Sequence, residues 1–224
     1  MRPALPKRRE FIYSPPAGTL DILHIDEALI FVNKPADLLS VPGRGPELAD
    51  CVISRLKSQH PEALLIHRLD VATSGVMVFA RTPDAQRHLG LQFEKRYTQK
   101  TYIAEVNGHI AAERGHINLP LIADWPNRPR QMVSFEHGKS AQTNWTKIEE
   151  KQPSTRVSLH PITGRSHQLR VHMWAIGHPI LGDRIYAGDE VFGASPRLCL
   201  HAESLTLRHP NGGEPISVTS ACPF

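Results

Sequence analysis

The run Gly75-Val76-Met77-Val78-Phe79-Ala80 constrains the fold most, because it is apolar throughout and shows no polar alternation. A half-exposed strand alternates, so this run is expected to be a central strand covered on both faces. Thr82-Pro83-Asp84 follows at once and reads as a helix start: a capping hydroxyl, proline at the first position and an acid in the first turn. Ala85, Leu89 and Phe93 would form that helix's buried stripe.

Other segments fall around this centre. From Ile22 the pattern reads as a strand, a tight turn at Asp26-Glu27, and a second strand from Leu29 to Val32, ended by Asn33-Lys34-Pro35. Residues 47–58 predict a short helix with Leu48, Val52 and Leu56 on one face. Tyr97 to Val106 alternates like a strand, and shorter strand-like pieces cover 115–121, 130–136, 141–149, 155–160, 198–203, 204–209 and 215–219. A second clear helix is expected after Ser166, with Leu169, Met173 and Ile176 on its apolar face, stopping at Gly177 with Pro179 beyond. Many strands broken by few helices predict an α+β fold with a mixed, largely antiparallel sheet. No repeat or linker divides residues 20–224, which read as one catalytic domain. Residues 1–19, basic and rich in proline, read as a poorly ordered arm.

Composition narrows the function. The 224 residues include 26 Lys+Arg and 22 Asp+Glu, a net charge of +4 that favours a polyanionic partner only mildly. Distribution says more. Residues 155–210 hold Arg156, Arg165, Arg170, Arg184, Arg197 and Arg208 with six histidines and no lysine. Arginine's planar fork suits phosphate. Cys51, Cys199 and Cys222 are far apart and odd in number, so they make neither a zinc pattern nor a disulfide framework, which fits a reducing cytoplasm. No apolar run approaches the roughly 20 residues of a membrane span, and no secretory signal opens the chain. A monomer is the default expectation.

Two constellations carry chemistry. His67-Arg68-Leu69-Asp70 with Thr73-Ser74-Gly75 stands immediately before the buried strand. If the stretch is extended, Arg68 and Asp70 point to one side and His67 and Leu69 to the other. That sets a carboxylate and a guanidinium at the mouth of a rigid element, where either a site or a structural ion pair fits. The second is Gly164-Arg165-Ser166-His167-Gln168-Leu169-Arg170-Val171-His172. Arg165 precedes the helix that Ser166 is expected to cap, so an anion there, a phosphate or the Asp70 carboxylate, meets both a guanidinium and a helix N-terminus. A solvated basic helix face is the plainer reading. The spacing does not match a His-Glu-x-x-His zinc pattern, and no metal is expected.

Taken together with Asn33-Lys34-Pro35, Leu39-Ser40-Val41-Pro42-Gly43, Lys100-x-Tyr102 and Leu200-His201-Ala202-Glu203, these motifs resemble the RluA-type family of RNA pseudouridine synthases over about residues 20–220. Asp124-Trp125-Pro126-Asn127-Arg128-Pro129 looks like one branch of that family, and Ala36-Asp37 departs from its usual small residue and glycine. The resemblance implies the pseudouridine synthase fold with a central catalytic cleft and no separate N-terminal RNA-binding module. It implies Asp70 as the nucleophile, Tyr102 packed on the target uracil, and Arg165 paired with Asp70. Arg68 is expected, from position and planarity, to fill the gap left by a flipped base or to hold a phosphate. The implied substrates are the tRNA anticodon loop at position 32 and 23S rRNA at position 746, with other rRNA or tRNA uridines as the alternative. Isomerisation neither oxidises nor adds a group, so no cofactor is expected. A non-catalytic RNA-binding module would explain the arginines but not the carboxylate beside a buried strand. A methyltransferase would want a glycine-rich turn after its first strand, and a serine hydrolase a Gly-x-Ser-x-Gly elbow; neither is present.

Overall fold

The computed structural model describes Pro6 and residues 9–224. In chain order the first elements are β1 (Asp21–Ile25), β2 (Leu29–Lys34), α1 (Val52–Lys57), β3 (Leu64–Leu65), β4 (Ser74–Ala80) and α2 (Pro83–Lys95). Then come β5 (Gln99–Asn107), β6 (Arg114–Asn118), β7 (Leu121–Ala123), β8 (Gln131–Val133), β9 (Gln142–Lys151) and β10 (Ser154–Pro161). The chain closes with α3 (Gln168–Ala175), α4 (Asp189–Gly193), β11 (Leu200–Arg208) and β12 (Pro215–Thr219). The chain packs as two compact units: Ile12–Lys100 with His201–Pro223, and Thr101–Leu200 with Phe224 and the described residues up to Phe11.

The first unit is organised by β4, which is buried at every position as its composition requires. β2 runs antiparallel along one edge, from Leu29 opposite Ala80 to Lys34 opposite Gly75. β3 pairs with the end of β4 at Phe79 and Ala80, and β11 runs parallel to its start, His201 opposite Ser74. β1 and β12 add antiparallel strands to β2 and β11. The β1–β2 turn is closed by Asp26 Oδ1, which accepts from the N–H groups of Ala28 and Leu29, each at 2.8 Å. α2 starts as expected, with Thr82 Oγ1 accepting from Ala85 N at 3.1 Å and Pro83 at the first position. Its Ala85 and Leu89 pack on Val76, Val78 and Ala80.

Gly75 shows why the strand opens with glycine. Its φ is +112°, and a Cβ there would lie 2.2 Å from the carbonyl oxygen of Ala202 on β11. The β4–β11 pairing therefore requires a residue without a side chain.

In the second unit β10 is antiparallel to β5 on one edge and to β9 on the other, and β6 extends β9. β7 and β8 form a separate hairpin. α3 is buried over nearly its whole length, with Val171 and Trp174 in a cluster with Leu121, Val133, Ala141 and Tyr186. His172 lies inside it: Nε2 donates to Leu119 O at 3.1 Å, leaving Nδ1 to accept from Thr143 Oγ1 at 2.9 Å.

Several boundaries differ from the sequence reading. The 47–58 helix divides into a 3-10 turn at Pro46–Leu48 and α1, because Cys51 is extended. The pieces at 198–203 and 204–209 are one strand, β11. α4 had no sequence signal of its own. Of the arm expected at 1–19, residues 1–5, 7 and 8 lie outside the described residues. From residue 9 it has no regular structure, yet it is tied down. Arg9 donates to Arg184 O and Ala187 O at 2.9 and 3.0 Å. Tyr13 donates to Asp50 O at 2.7 Å, and Arg55 donates to Pro16 O and Gly18 O at 2.7 and 3.1 Å.

Two outcomes follow from this packing. Gly75→Ala is expected to destabilise the chain by at least about 2 kcal/mol in urea denaturation, through the clash and the left-handed backbone together. Burial lowers the His172 pKa from 6.5 to about 4, with the nearby His116 adding to it. The unfolded chain therefore binds more protons between those values, and stability falls as pH drops from about 6.5 towards about 4. An NMR titration should place the ring's midpoint near the lower value.

Candidate active site

The stretch 66–70 is irregular and leads through a turn at 71–72 into β4. Its alternation is as the sequence implies: Leu69 is buried, Arg68 exposed, and Asp70 partly exposed. Three contacts hold it. Ser40 Oγ donates to Leu69 O at 2.7 Å and lies 3.1 Å from Leu69 N, so one hydroxyl grips both sides of a single residue. His67 stacks on Phe93 of α2, ring centroids 4.7 Å apart, and its Nε2 accepts from Val78 N at 3.1 Å. A protonated ring could not accept that bond. Burial, with the cationic Lys100 adding to it, lowers the His67 pKa to about 3, so the ring is a neutral packing element.

The third contact is Lys34. Its side chain is 0% exposed, and Nζ donates to Pro35 O, Val71 O and Thr73 O at 2.8, 2.8 and 2.7 Å. Thr73 N in turn donates to Asp70 O at 3.1 Å. A buried ammonium is tolerated only when its donors are met. Two of the three acceptors, Val71 O and Thr73 O, are carbonyls of the turn following Asp70, so the charge fixes the backbone that presents the carboxylate. Ser74 is not a nucleophile in waiting. It is buried, and its Oγ donates to Nδ1 of buried His201 at 2.8 Å, whose Nε2 donates to Ser220 O at 3.0 Å. Arg68 makes no hydrogen bond or ion pair among the described residues.

Tyr102 and Arg165 belong to the second unit. Tyr102 is on β5 opposite Leu159 of β10 and is partly buried. Arg165 is exposed, with Nε donating to Ser140 O at 3.1 Å. Ser166 does not cap α3. The helix starts at Gln168, and His167 before it takes a left-handed conformation, φ +55°, with no side-chain cap. Gln168 does the work instead: its Oε1 accepts from Arg165 N at 3.0 Å and from Thr163 Oγ1 at 2.6 Å. Its Nε2 donates to Gln142 O and Thr143 Oγ1, both at 2.9 Å.

Five residues beyond Arg165 stands a group that the sequence reading left without a role. Arg170 is 4% exposed, and its Nε and Nη2 each donate at 2.7 Å to the carboxylate of Asp183, which is 0% exposed. Burial would raise the Asp183 pKa, but the Arg170 charge and hydrogen bonds outweigh it, aided by the N–H groups of Ile185 and Tyr186 at 2.8 and 3.1 Å; the net shift is downward. Arg170 also lies 5.3 Å from the Tyr186 ring, whose hydroxyl meets His167 Nδ1 at 2.8 Å. The pair is thus a fixed, ionised element. Its only trace in the sequence is an arginine in the motif and one aspartate thirteen residues on.

Among the described residues no three His, Cys, Asp or Glu side chains gather as a metal would require, and no helix is long and apolar enough to cross a membrane. None of the three cysteines forms a disulfide among the described residues.

Known proteins resemble this chain in sequence and in fold. The family model of RNA pseudouridylate synthases matches residues 28–175, from β2 through the end of α3. The dual-specificity RNA pseudouridine synthase RluA of Yersinia pestis is 55% identical over 196 residues, 87% of this chain and 95% of that protein. Its namesake from Escherichia coli strain K12 is 51% identical over 214 residues, 95% and 98% of the two chains. Among solved structures, human RNA pseudouridylate synthase domain containing 1 superposes with a TM-score of 0.78 at 28% identity, covering 94% of this chain and 87% of its own. The pinned aspartate turn before a buried strand therefore has a family to which it belongs: this chain is a member of the RluA family of RNA pseudouridine synthases.

Proposed function

We propose that the chain converts uridines to pseudouridine in two kinds of RNA, rRNA and tRNA, a reading supported by relatives named dual-specificity RNA pseudouridine synthases, with Asp70 as the reacting carboxylate. The observation that carries the assignment is the turn after Asp70, whose carbonyls are held by a fully buried lysine. Pseudouridine formation breaks the N1–C1′ bond, turns the uracil, and rejoins it through C5. The carboxylate can attack the sugar carbon or C6 of the base, or take a sugar proton, and each route needs it ionised and fixed. By resemblance, the implied targets are tRNA position 32 and 23S rRNA position 746.

The uridine must leave its stack first, which costs a few kcal/mol. Tyr102 offers a face for the extruded base, a contact worth about 1–3 kcal/mol. Exposed Arg68, two residues before Asp70, is suited to take the vacated place or a backbone phosphate.

Asp70 in a dry site needs a cation to stay ionised. The sequence reading gave this part to Arg165. Its exposure and its bond to Ser140 O make it a weak electrostatic partner but a good phosphate ligand. Arg170 is better suited to the carboxylate: it is buried and held rigid by its bidentate pair with Asp183. Arg165 then serves RNA binding.

Asp70→Asn should abolish conversion of rRNA and tRNA uridines, read by nucleoside analysis, while RNA affinity persists; surviving turnover would remove the assignment. Arg170→Lys, checked for folding by circular dichroism, should lower kcat by about 100-fold or more with little change in KM. Arg165→Ala should instead raise KM a few-fold and reduce the salt dependence of binding by roughly one phosphate contact. The opposite split would return the carboxylate partner to Arg165.

A further inference from the structure

The β7–β8 hairpin ends in a turn that the chemistry above does not use. Both carboxylate oxygens of Asp124 accept from Asn127 Nδ2, at 3.0 and 2.9 Å, and Asn127 N donates back to Asp124 O at 3.0 Å. Arg130 N donates to Asn127 O at 3.1 Å, and Asp124 N to Arg130 O at 3.0 Å. The Arg130 guanidinium is buried and donates to the carbonyls of Pro6 and Ile185. At the root, Leu121 and Lys139 exchange both backbone hydrogen bonds, at 2.9 and 2.8 Å. The turn is therefore built rather than loose.

Its apex exposes what a folded chain normally hides. Trp125 is 67% exposed, whereas Trp145 and Trp174 are 7% and 6%. An indole left in water forgoes a large apolar contact. The Arg128 guanidinium lies over its ring, 2.9 Å from the centroid. At the root, Arg165 reaches Ser140 O, next to Lys139. Nearby acids are accounted for: Asp124 is held by Asn127, and Glu136 lies 3.3 Å from His137. A flat aromatic–guanidinium stack at the apex of a hairpin whose root carries Lys139 and Arg165 matches an unpaired nucleobase and its phosphates. It does not match a duplex, whose stacked bases present no free face.

We propose that Trp125 and Arg128 form a stacking clamp for an unpaired nucleobase of the substrate RNA other than the target uridine, with Lys139 and Arg165 tracking the adjoining phosphates. The clamp selects loops over helices and positions the RNA; it does not touch the reacting atoms. The proposal rests on the reading that this chain modifies loop uridines in rRNA and tRNA.

The test uses the full chain and two RNAs: a tRNA anticodon stem-loop and a fully paired hairpin of matched composition. The stem-loop should quench tryptophan fluorescence and the paired hairpin should not, and Trp125→Phe should remove most of the quench while holding KM within about threefold. Trp125→Ala should raise KM for the stem-loop about tenfold with kcat within about twofold, and Arg128→Ala should act in the same direction. Unchanged KM in Trp125→Ala, or equal weakening of both RNAs, overturns the clamp; a protein partner captured through Trp125 with unchanged RNA kinetics does so too. Total RNA from cells lacking the protein serves as the control: no conversion there by the wild type overturns the underlying reading rather than the clamp alone.

Discussion

The Lys34 ammonium, buried and shared among three carbonyls, is the interaction on which the backbone around Asp70 depends. Lys34 closes β2, and two of its acceptors follow Asp70, so one side chain ties the strand beside β4 to the turn before it. Ser40 and His67 grip the same stretch from other sides. A carboxylate on such a backbone has little freedom to lose when RNA arrives, which is what positioning catalysis requires.

The parts of the fold dictated by local physics were legible. β4 is buried because from Gly75 to Ala80 no position in it is polar, and α2 begins at Thr82-Pro83 because those residues satisfy a helix start. What escaped depended on partners far away in sequence. Ser166 looked like a cap, yet the backbone turns one residue later and the Gln168 amide supplies the hydrogen bonds, reaching Gln142 and Thr143 some 25 residues upstream. No local pattern announces that choice.

The site followed the same rule. The position of Asp70 before β4 was readable because its motif sits next to a run that has only one plausible fate. The two arginines of the second motif were not separable in sequence, since both are five-donor cations in one nine-residue run. Burial separates them: Arg170 faces Asp183 inside, and Arg165 rests on Ser140 at the surface. Trp125 was likewise visible only as a letter in a motif; that it stands in solvent on a tightly bonded turn is a property of the packed chain.

The first unit's interrupted sequence bears on how the protein is made. Its residues 12–100 leave the ribosome long before 201–223, while the intervening unit is almost continuous in the chain. Until residues near His201 emerge, the start of β4 has one open edge with no β11 to pair, and Gly75 faces no Ala202. The second unit can complete its own strands first, because β5 through β10 follow one another directly. Synthesis therefore presents a nascent chain in which residues 12–100 are among the last to be satisfied, with one edge of β4 open until β11 arrives.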